Sequence, residues 1–498
     1  MSGYMEIAGL LALALILTAT AARGEPIDIG SRLELLVDEH LIERMTGQAR
    51  LRLHHPVPRE VVQLRDRPWE GNSSGYTTVF QDGDIYRMYY RGAHIIYREG
   101  SIEATHQELV CYAESEDGIT WTRPELGLVE FEGSSRNNII HDGLGSHNFT
   151  PFRDTNPDCA PEAAYKALAW GRGEGIETGL YAFQSPDAIH WSLMSEDPVI
   201  TTGAFDSQNL AFWDSERGEY REYHRAGRNG RDIMTGTSDD FLQWTQPRFL
   251  DYSPGRVSQL YTNQVMPYYR APHILLGFPT RYVDYAWAES TKRLPQQEYR
   301  RIVASSSRRS GTAITDGMFM ASRDRVSFRV WPESFIRPGI QRPRSWFYGD
   351  NYQAWGLVET RPTLQGAPNE LSIYVSEGGR QPDGVSIRRY TLRIDGFVSV
   401  EAPLSGGELL TRPVVFEGEE LVINFSTSTV GSVRVELQDE IGMPIPGFEL
   451  DDCPRIFGDE IERPVRWGED ATLAELAGRP VRLRFELADA DLYSFRFR

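Results

Sequence analysis

The chain has 498 residues, of which 40% are hydrophobic and 11% aromatic, with 45 glycines and 29 prolines. This length and composition allow a large turn-rich domain with a smaller second domain, and they exclude a disordered chain. The net charge of −19 makes nucleic acid and anionic membrane surfaces poor partners.

An apolar run over residues 7–22 opens the chain and is followed by Arg23-Gly24-Glu25-Pro26. The run is short for a membrane span, and small residues at Ala19, Ala21 and Ala22 suit a signal-peptidase site. No Lys or Arg precedes it, so an uncleaved anchor is the alternative. The pattern predicts a signal peptide over residues 1–24 and a secreted or periplasmic protein that leaves the membrane once the signal is removed.

Three cysteines, Cys111, Cys159 and Cys453, are too few and too scattered for a disulfide framework or a zinc site, and at most one pair is able to bridge. Glycine-rich phosphate loops and nucleophile-elbow motifs are absent from the sequence. The sequence therefore predicts neither a metal nor a cofactor.

Residues 25–68 are predicted to form an N-terminal lead-in, and a β pattern begins after it. Residues 75–91 read as two strands joined at Asp82-Gly83, a strong hairpin signal. A third strand follows over residues 109–114, and a fourth passes through Trp121. Together these strands predict one four-stranded antiparallel blade.

A seven-residue phrase of Ser, Asp, an apolar residue and an aromatic residue at alternate positions recurs four times. The copies are Ser115-Asp117-Ile119-Trp121, Ser185-Asp187-Ile189-Trp191, Ser238-Asp240-Leu242-Trp244 and Ser322-Asp324-Val326-Phe328. Their closing aromatic residues lie 70, 53 and 84 residues apart, which is the scale of a propeller blade with variable loops. Ser and Asp form tight turns by hydrogen bonding to nearby backbone, so these aspartates are predicted to shape the blades.

Counting blades from this phrase predicts an all-β protein with a five-bladed β-propeller over residues 69–400. Blade four carries a polar insertion near residues 284–315, and blade five lacks the phrase but keeps its strands. Alternating segments beyond residue 400 predict a C-terminal β-sandwich over residues 401–498. We interpret this sandwich as a structural appendage, with a sugar-binding module as the alternative.

Polar residues just before the innermost strands of a propeller converge on its axis. The segments predicted to precede those strands are Trp69-Glu70-Gly71-Asn72, Phe152-Arg153-Asp154, Phe205-Asp206-Ser207-Gln208-Asn209, Tyr261-Thr262-Asn263 and Tyr348-Gly349-Asp350-Asn351. Glycoside hydrolysis needs one carboxyl group that donates a proton and one carboxylate that attacks or activates water. We expect Glu70 and Asp206 to fill these two roles, although an Asp at a strand entrance is also a common turn residue.

Seven further residues are candidates for substrate binding because they lie in these segments or follow the inner strands of blade four. They are Trp69, Asn72, Asn209, Arg281, Tyr282, Asp350 and Asn351. Trp69 is able to stack on a sugar ring. Packing within the fold is the alternative role for Arg281 and Tyr282.

Trp69, Gly75 with the tyrosine-rich hairpin after it, and Phe152-Arg153-Asp154 resemble the five-bladed propeller glycosidases of families 32 and 43, the β-fructosidase and arabinanase kind. The resemblance implies that Asp154, in the position of the Asp of an Arg-Asp-Pro motif, stabilises the transition state. Asn72 occupies the place of the nucleophilic Asp of family 32, with Glu70 the nearest carboxylate. The Glu-Cys pair that holds the acid of that family has no counterpart, and Asp206 stands nearest to it.

These observations predict a secreted glycoside hydrolase that cleaves O-glycosidic bonds of an oligo- or polysaccharide. Glu70, Asp154 and Asp206 would be its catalytic residues, and a carbohydrate would be its partner. A non-catalytic carbohydrate-binding propeller is the alternative, favoured by Asn72. The choice between retention and inversion depends on the separation of the carboxyl groups and stays open, as does the oligomeric state.

Overall fold

A computed structural model describes residues 25–255, 258–468 and 471–498, and the predicted signal peptide lies outside the described residues. The protein is mostly β, and its sheets have a propeller-like arrangement. Within the described ranges, no helix combines the length and the apolar character that crossing a membrane requires.

Three antiparallel sheets of four strands come first along the chain. The first sheet contains Gly75–Asp82, Ile85–Gly92, Leu109–Ser115 and Ile139–Asp142. The second sheet contains Thr150–Arg153, Tyr165–Gly171, Gly179–Ser185 and Ser192–Leu193. The third sheet contains Leu210–Asp214, Glu219–Gly227, Arg231–Ser238 and Arg248–Phe249. In each of the three sheets, the strand that comes first in sequence lies at an edge of the sheet.

The fourth sheet has seven strands and contains the polar insertion. Its strands are Asp251–Ser253, Gln259–Leu260, Met266–Tyr268, Ala271–Gly277, Thr280–Asp284, Ala313–Ser322 and Ser327–Ile336. The insertion folds into a short 3₁₀ turn and two helices, Thr291–Arg293, Gln297–Ser306 and Arg308–Thr312. The longer helix contacts a two-stranded hairpin, Ile95–Arg98 with Ser101–Ala104, through a hydrogen bond from the Gly100 amide to Ser305 Oγ (2.9 Å).

The fifth sheet combines strands from the two ends of the propeller-like region. It contains Val57–Leu64, Tyr352–Gln353, Val358–Thr360, Glu370–Glu377 and Ser386–Leu392. Val57–Leu64, which the sequence places in the lead-in, pairs antiparallel with Ser386–Leu392. A strand from early in the chain therefore completes the last of these sheets.

The C-terminal region also takes strands from the lead-in. One eight-stranded sheet contains Glu34–Leu35, Ile42–Gly47, Arg50–Leu53, Val398–Ala402, Gly407–Thr411, Leu421–Gln438, Asp459–Pro464 and Arg482–Phe497. Ile27–Gly30 pairs in parallel with Val414–Phe416, and Leu473–Glu475 forms a 3₁₀ turn, as does Pro161–Ala163 farther back in the chain. The side chains of this region pack into an apolar core of their own.

The repeated phrase forms the tight turns that the sequence predicts. In the third copy, Ser238 Oγ accepts from the amides of Asp240 and Phe241, and Asp240 Oδ1 accepts from the amides of Leu242 and Gln243. The indole of Trp244 donates to the Phe241 carbonyl (3.0 Å). The other copies contain the same Ser–Asp hydrogen bond, so the structural role of these aspartates is confirmed.

We expect Asp240→Ala to lower the free energy of unfolding by about 1 kcal/mol, because two backbone amides and Ser238 lose their acceptor in a partly exposed turn. Urea titration followed by circular dichroism measures the change. Asp239→Ala, at the neighbouring exposed position, is the control. Equal stability of the two variants would contradict the turn role.

The centre of the propeller-like region is closed by amide and hydroxyl groups. Gln208 donates to Thr78 Oγ1 (2.9 Å), and Gln264 donates to Gln208 Oε1 (2.8 Å) and to the Gln353 carbonyl (2.9 Å). A space of about 10 Å³ borders Gln208 and Gln353 at this level. A cavity of about 940 Å³, bordered by Thr78, Asp154 and Trp355, opens at one end of the inner strands.

Candidate active site

Five tyrosines gather at the end of the propeller-like region where the chain enters the inner strands. They are Tyr76, Tyr261, Tyr282, Tyr348 and Tyr352, and they form one cluster. The Tyr261 ring lies 5.9 Å from that of Tyr348 and 5.3 Å from that of Tyr352, and the hydroxyls of Tyr76 and Tyr261 are 3.4 Å apart.

Five arginines surround these rings. Arg91 lies 4.8 Å from the Tyr76 ring, Arg225 5.2 Å from Tyr261, Arg231 4.2 Å from Tyr282, and Arg380 4.7 Å from Tyr348, while Arg309 Nη1 lies 3.3 Å from the Tyr348 hydroxyl. We call these five tyrosines and five arginines the arginine–tyrosine pole.

A histidine joins two carboxylates at the edge of this pole. His147 Nε2 lies 3.1 Å from Asp206 Oδ1, and its Nδ1 lies 2.8 and 2.9 Å from the two oxygens of Glu108. The ring of His147 also packs 5.5 Å from that of Tyr76, which connects the three residues to the tyrosines.

Both carboxylates are held in the ionised form. Partial burial acts to raise the pKa of Asp206, but the His147 hydrogen bond and the charge of Arg225, 3.6 Å away, outweigh it and lower that pKa to about 2. For Glu108, the His147 hydrogen bond and Arg91 outweigh burial in the same way and lower the pKa to about 2. Asp206 remains 49% exposed, so this carboxylate is open to a ligand.

Tyr348 differs from its neighbours in acidity. Burial acts to raise its pKa, but Arg380, the hydrogen bond with Tyr261, and Arg309 outweigh burial, and the pKa of Tyr348 is lowered. Burial and the surrounding phenols instead raise the pKa values of Tyr261 and Tyr352. Tyr348 is therefore the phenol of this cluster that most readily releases a proton.

The side chain of Glu70, one of the three carboxylates predicted to be catalytic, does not face the arginine–tyrosine pole. It is fully buried, accepts from the Tyr90 hydroxyl (2.6 Å) and from Arg123 Nη1 (2.8 Å), and has no residue in common with the contacts of Asp206. The segment that contains Glu70 lies near the pole, but the side chain points between the first and fifth sheets.

Asp154 lies at the opposite end of the inner strands, and the reason is strand phase. The inner strand of the second sheet is Thr150–Arg153, so Asp154 follows this strand, whereas Asp206 precedes Leu210–Asp214. Asp154 is bonded to Lys166 and to the Tyr220 hydroxyl, and it borders a cavity of about 940 Å³. Residues Ser146 to Asn148 are the segment of this sheet that precedes its inner strand.

Four other predicted residues stabilise local structure. Trp69 donates to Asn138 Oδ1 (2.7 Å), and the amide of Asn72 bonds the backbone of Ile95 in both directions. Asn209 Nδ2 donates to the carbonyls of Phe205 and Ser207, and Asn351 Nδ2 donates to that of Thr315. Asn72, Asn209 and Asn351 are all buried.

Arg281 and Tyr282 alternate across their strand, so they point to opposite faces. Tyr282 belongs to the arginine–tyrosine pole, with its ring 5.5 Å from that of Tyr348. Arg281 donates to Asp316 (2.8 Å) and lines a different depression of about 400 Å³. Of the ten predicted site residues, Asp206 and Tyr282 are the two with side chains in or beside the pole.

Asp350 supports the loop that carries Tyr348. Its Oδ1 accepts from the amides of Gly378 (2.8 Å) and Gly379 (3.1 Å), and its Oδ2 accepts from the Phe347 amide (3.1 Å). Burial raises the pKa of Asp350 from 3.8 to about 7, although these three hydrogen bonds oppose the rise. Asp350 positions the loop and does not face the pole.

We expect the Asp350 carboxyl group to make the folded protein less stable as pH rises from about 4 to about 7. In this interval the folded protein holds a proton that the unfolded chain releases, so the free energy of unfolding falls. Urea titrations at both pH values should show a larger fall in the wild type than in Asp350→Asn, by more than ~1 kcal/mol. Equal falls would contradict the raised pKa.

The cysteines form no disulfide bond, and the described residues contain no group of side chains arranged to bind a metal ion. Cys111, Cys159 and Cys453 are free thiols. Among the described residues, no group of His, Cys, Asp and Glu side chains is placed to hold a metal ion.

Sequence reasoning singled out Tyr282 and the segments that contain Tyr261 and Tyr348, but it missed His147, Arg309 and Arg380. His147 lies in the segment before the inner strand of the second sheet, and correct strand phase would have found it. Tyr348 lies two residues before Asp350, inside a segment that the sequence did single out. Arg309 and Arg380 carry no comparable signal, since one comes from the insertion and the other from a loop of the fifth sheet.

No family model matches the chain, and no curated protein matches it either. Among solved structures, an N-acetylgalactosamine deacetylase from F. plautii is similar, with 12% identity over 68% of this chain and 93% of that chain, at a TM-score of 0.42. A glycosyl hydrolase from Bacteroides ovatus has 13% identity over 71% of this chain and 97% of that chain, at a TM-score of 0.36. A β-1,2-mannobiose phosphorylase from Listeria innocua has 11% identity over 65% and 90% of the two chains, at a TM-score of 0.36. Likeness at this level assigns no function to the chain.

Proposed function

We propose that the protein is a secreted glycoside hydrolase that cleaves O-glycosidic bonds at the arginine–tyrosine pole. Its framework would be a five-bladed β-propeller, with Val57–Leu64 completing the last blade, followed by a C-terminal β-sandwich. One observation carries the proposal: a partly exposed, ionised carboxylate, Asp206, and a phenol of lowered pKa, Tyr348, lie next to the same tyrosine pair. Asp206 reaches this pair, Tyr76 and Tyr261, through His147, which packs 5.5 Å from the Tyr76 ring, and the Tyr348 ring lies 5.9 Å from that of Tyr261.

The two groups have complementary proton chemistry. Asp206, ionised at neutral pH, accepts a proton from the water that attacks the anomeric carbon. The bond between that carbon and the leaving oxygen breaks, and the leaving oxygen takes the phenolic proton of Tyr348. The proton held by Asp206 then returns through solvent to the Tyr348 phenolate, so the net change is the addition of one water across the glycosidic bond.

Of the three carboxylates predicted to be catalytic, the proposal retains Asp206 alone. Glu70 is bonded to Tyr90 and Arg123 and shares no contact with Asp206. Asp154 is bonded to Lys166 at the other end of the inner strands. A non-catalytic carbohydrate-binding propeller is the second candidate. The two carboxyl groups at the edge of the pole, Asp206 and Glu108, both have lowered pKa values, so neither holds a proton to donate to a leaving group.

Turnover separates the two candidates. The wild-type protein should be incubated with a panel of furanosides, pyranosides and sulfated glycans, with new reducing ends measured and binding followed by calorimetry. A hydrolase releases one reducing end per bond cleaved and forms no unsaturated sugar. If the protein bound glycans of the panel but cleaved none of them, the result would contradict the hydrolase proposal and support the carbohydrate-binding role.

A further inference from the structure

The charge of the arginine–tyrosine pole is opposite to that of the whole protein. The chain carries a net charge of −19, yet five arginines meet at this pole and two carboxylates, Asp206 and Glu108, lie at its edge. Those two carboxylates are already engaged by His147, Arg91 and Arg225. The positive charge around Tyr348 is therefore not balanced by them.

Arg309 and Arg380 both lie close to Tyr348. Arg309 Nη1 lies 3.3 Å from the Tyr348 hydroxyl, and Arg380 Cζ lies 4.7 Å from the centre of its ring. The Arg380 guanidinium donates a hydrogen bond to the Tyr97 hydroxyl. In the part of the chain that the structure describes, neither guanidinium has a carboxylate at ion-pair distance.

Two acids that closely follow tyrosines of the pole in sequence, Asp284 after Tyr282 and Asp350 after Tyr348, are bound elsewhere. Asp284 pairs with Arg308 (3.0 Å) and accepts from the Thr312 hydroxyl (2.7 Å). Asp350 accepts from three backbone amides. Arg380 is partly buried. Removing a cation from water without a counter-ion is costly, and an anion from outside the chain would offset this cost at Arg380.

We propose that the substrate is a glycan whose sugar carries an oxyanion, a uronic acid carboxylate or a sulfate ester, and that Arg309 and Arg380 bind this group beside Tyr348. The guanidinium fork matches carboxylate and sulfate geometry and forms paired hydrogen bonds with them. The tyrosine rings supply the apolar faces on which a sugar ring packs. This inference rests on the proposed function, because it names the substrate class of the same site.

The test measures binding separately from hydrolysis. Calorimetry would compare oligogalacturonides and sulfated galactan oligosaccharides with their carboxyl-reduced and desulfated forms, using wild type, Arg309→Gln, Arg380→Gln and the matched control Arg308→Gln. Arg308 is the neighbour of Arg309 on the same helix and pairs with Asp284. We expect Arg309→Gln and Arg380→Gln each to bind at least one anionic probe at least tenfold more weakly than wild type does. Their affinity for the neutral forms, and the affinity of Arg308→Gln for every probe, should equal that of wild type.

Arg309 is exposed, so its variant keeps the test decisive if Arg380→Gln fails to fold. Equal affinity of wild type for anionic and neutral forms would overturn the proposal, as would an unchanged affinity in Arg309→Gln. A requirement for inorganic phosphate, with a sugar phosphate as product, would also overturn it, since the oxyanion would then be a co-substrate.

The same measurements on Asp206→Asn distinguish failure of the proposed oxyanion subsite from failure of the proposed hydrolase activity. Arginine-dependent binding of an anionic glycan without turnover in any variant keeps the subsite and removes the hydrolase. Cleavage restricted to neutral glycans removes the subsite and keeps the hydrolase.

Discussion

Asp206→Asn is expected to lower kcat/KM on a cleaved glycan by about 10²- to 10⁴-fold, the usual contribution of a positioned general base. The amide keeps the size of the carboxylate and the contact with His147 but accepts no proton from water. Because the Asp206 side chain is 49% exposed, the free energy of unfolding of the variant should lie within about 1 kcal/mol of that of wild type. Initial rates of reducing-end release and urea titration measure the two quantities.

Asp240→Asn is the matched control, since it changes the same residue type in a turn of the repeated phrase, away from the pole. Its rate should equal that of wild type. A wild-type rate in Asp206→Asn would show that Asp206 binds or positions groups only, and the carboxylate of the reaction would have to be sought elsewhere.

The position of Asp206 could be predicted because the repeated phrase sets the phase of the third sheet. Ser185-Asp187 and Ser238-Asp240 mark the turns that precede the last strands of the second and third sheets, and the segment between them contains the next inner strand. In the second sheet the predicted start of the inner strand was wrong, because this strand begins at Thr150 after a polar stretch. Phe152-Arg153 reads equally well as a strand entrance or a strand end.

Two features of the fold depend on contacts between distant parts of the chain. Val57–Leu64 pairs with Ser386–Leu392, and Arg50–Leu53 pairs with Val398–Ala402. Each early segment has an ordinary strand pattern that does not specify its partner. The lead-in therefore appeared separate from both regions, although it supplies strands to each of them.

Side-chain direction was the information that the sequence lacked at the site. Glu70 lies in the segment before the inner strand of the first sheet, as predicted, and yet its carboxylate turns toward Arg123. Arg309 and Arg380 reach Tyr348 from an insertion and a loop, neither of which has a strand period that indicates direction. Strand phase predicts which segments meet, and packing determines which of their side chains face the pole.

Glu70→Ala is expected to lower the free energy of unfolding by about 3–5 kcal/mol, because it leaves buried positive charge without its carboxylate. Glu70 accepts from Arg123 Nη1 (2.8 Å) and from the Tyr90 hydroxyl (2.6 Å). Arg65, which is 1% exposed, packs its guanidinium 3.1 Å from the centre of the Tyr90 ring, and Glu70 acts to raise its pKa while burial lowers it. Urea titration followed by circular dichroism measures the loss.

Asp66 supplies a matched control, because its carboxylate contacts the same Arg123 nitrogen (2.9 Å) while remaining 56% exposed. Asp66→Ala should therefore cost no more than about 1 kcal/mol. Glu70→Gln should fall between the two, since the amide keeps an acceptor for Tyr90 but removes the charge. If Glu70→Gln instead kept wild-type stability and lost turnover, the carboxylate would act in the reaction, and the pole around Asp206 would not be the whole active site.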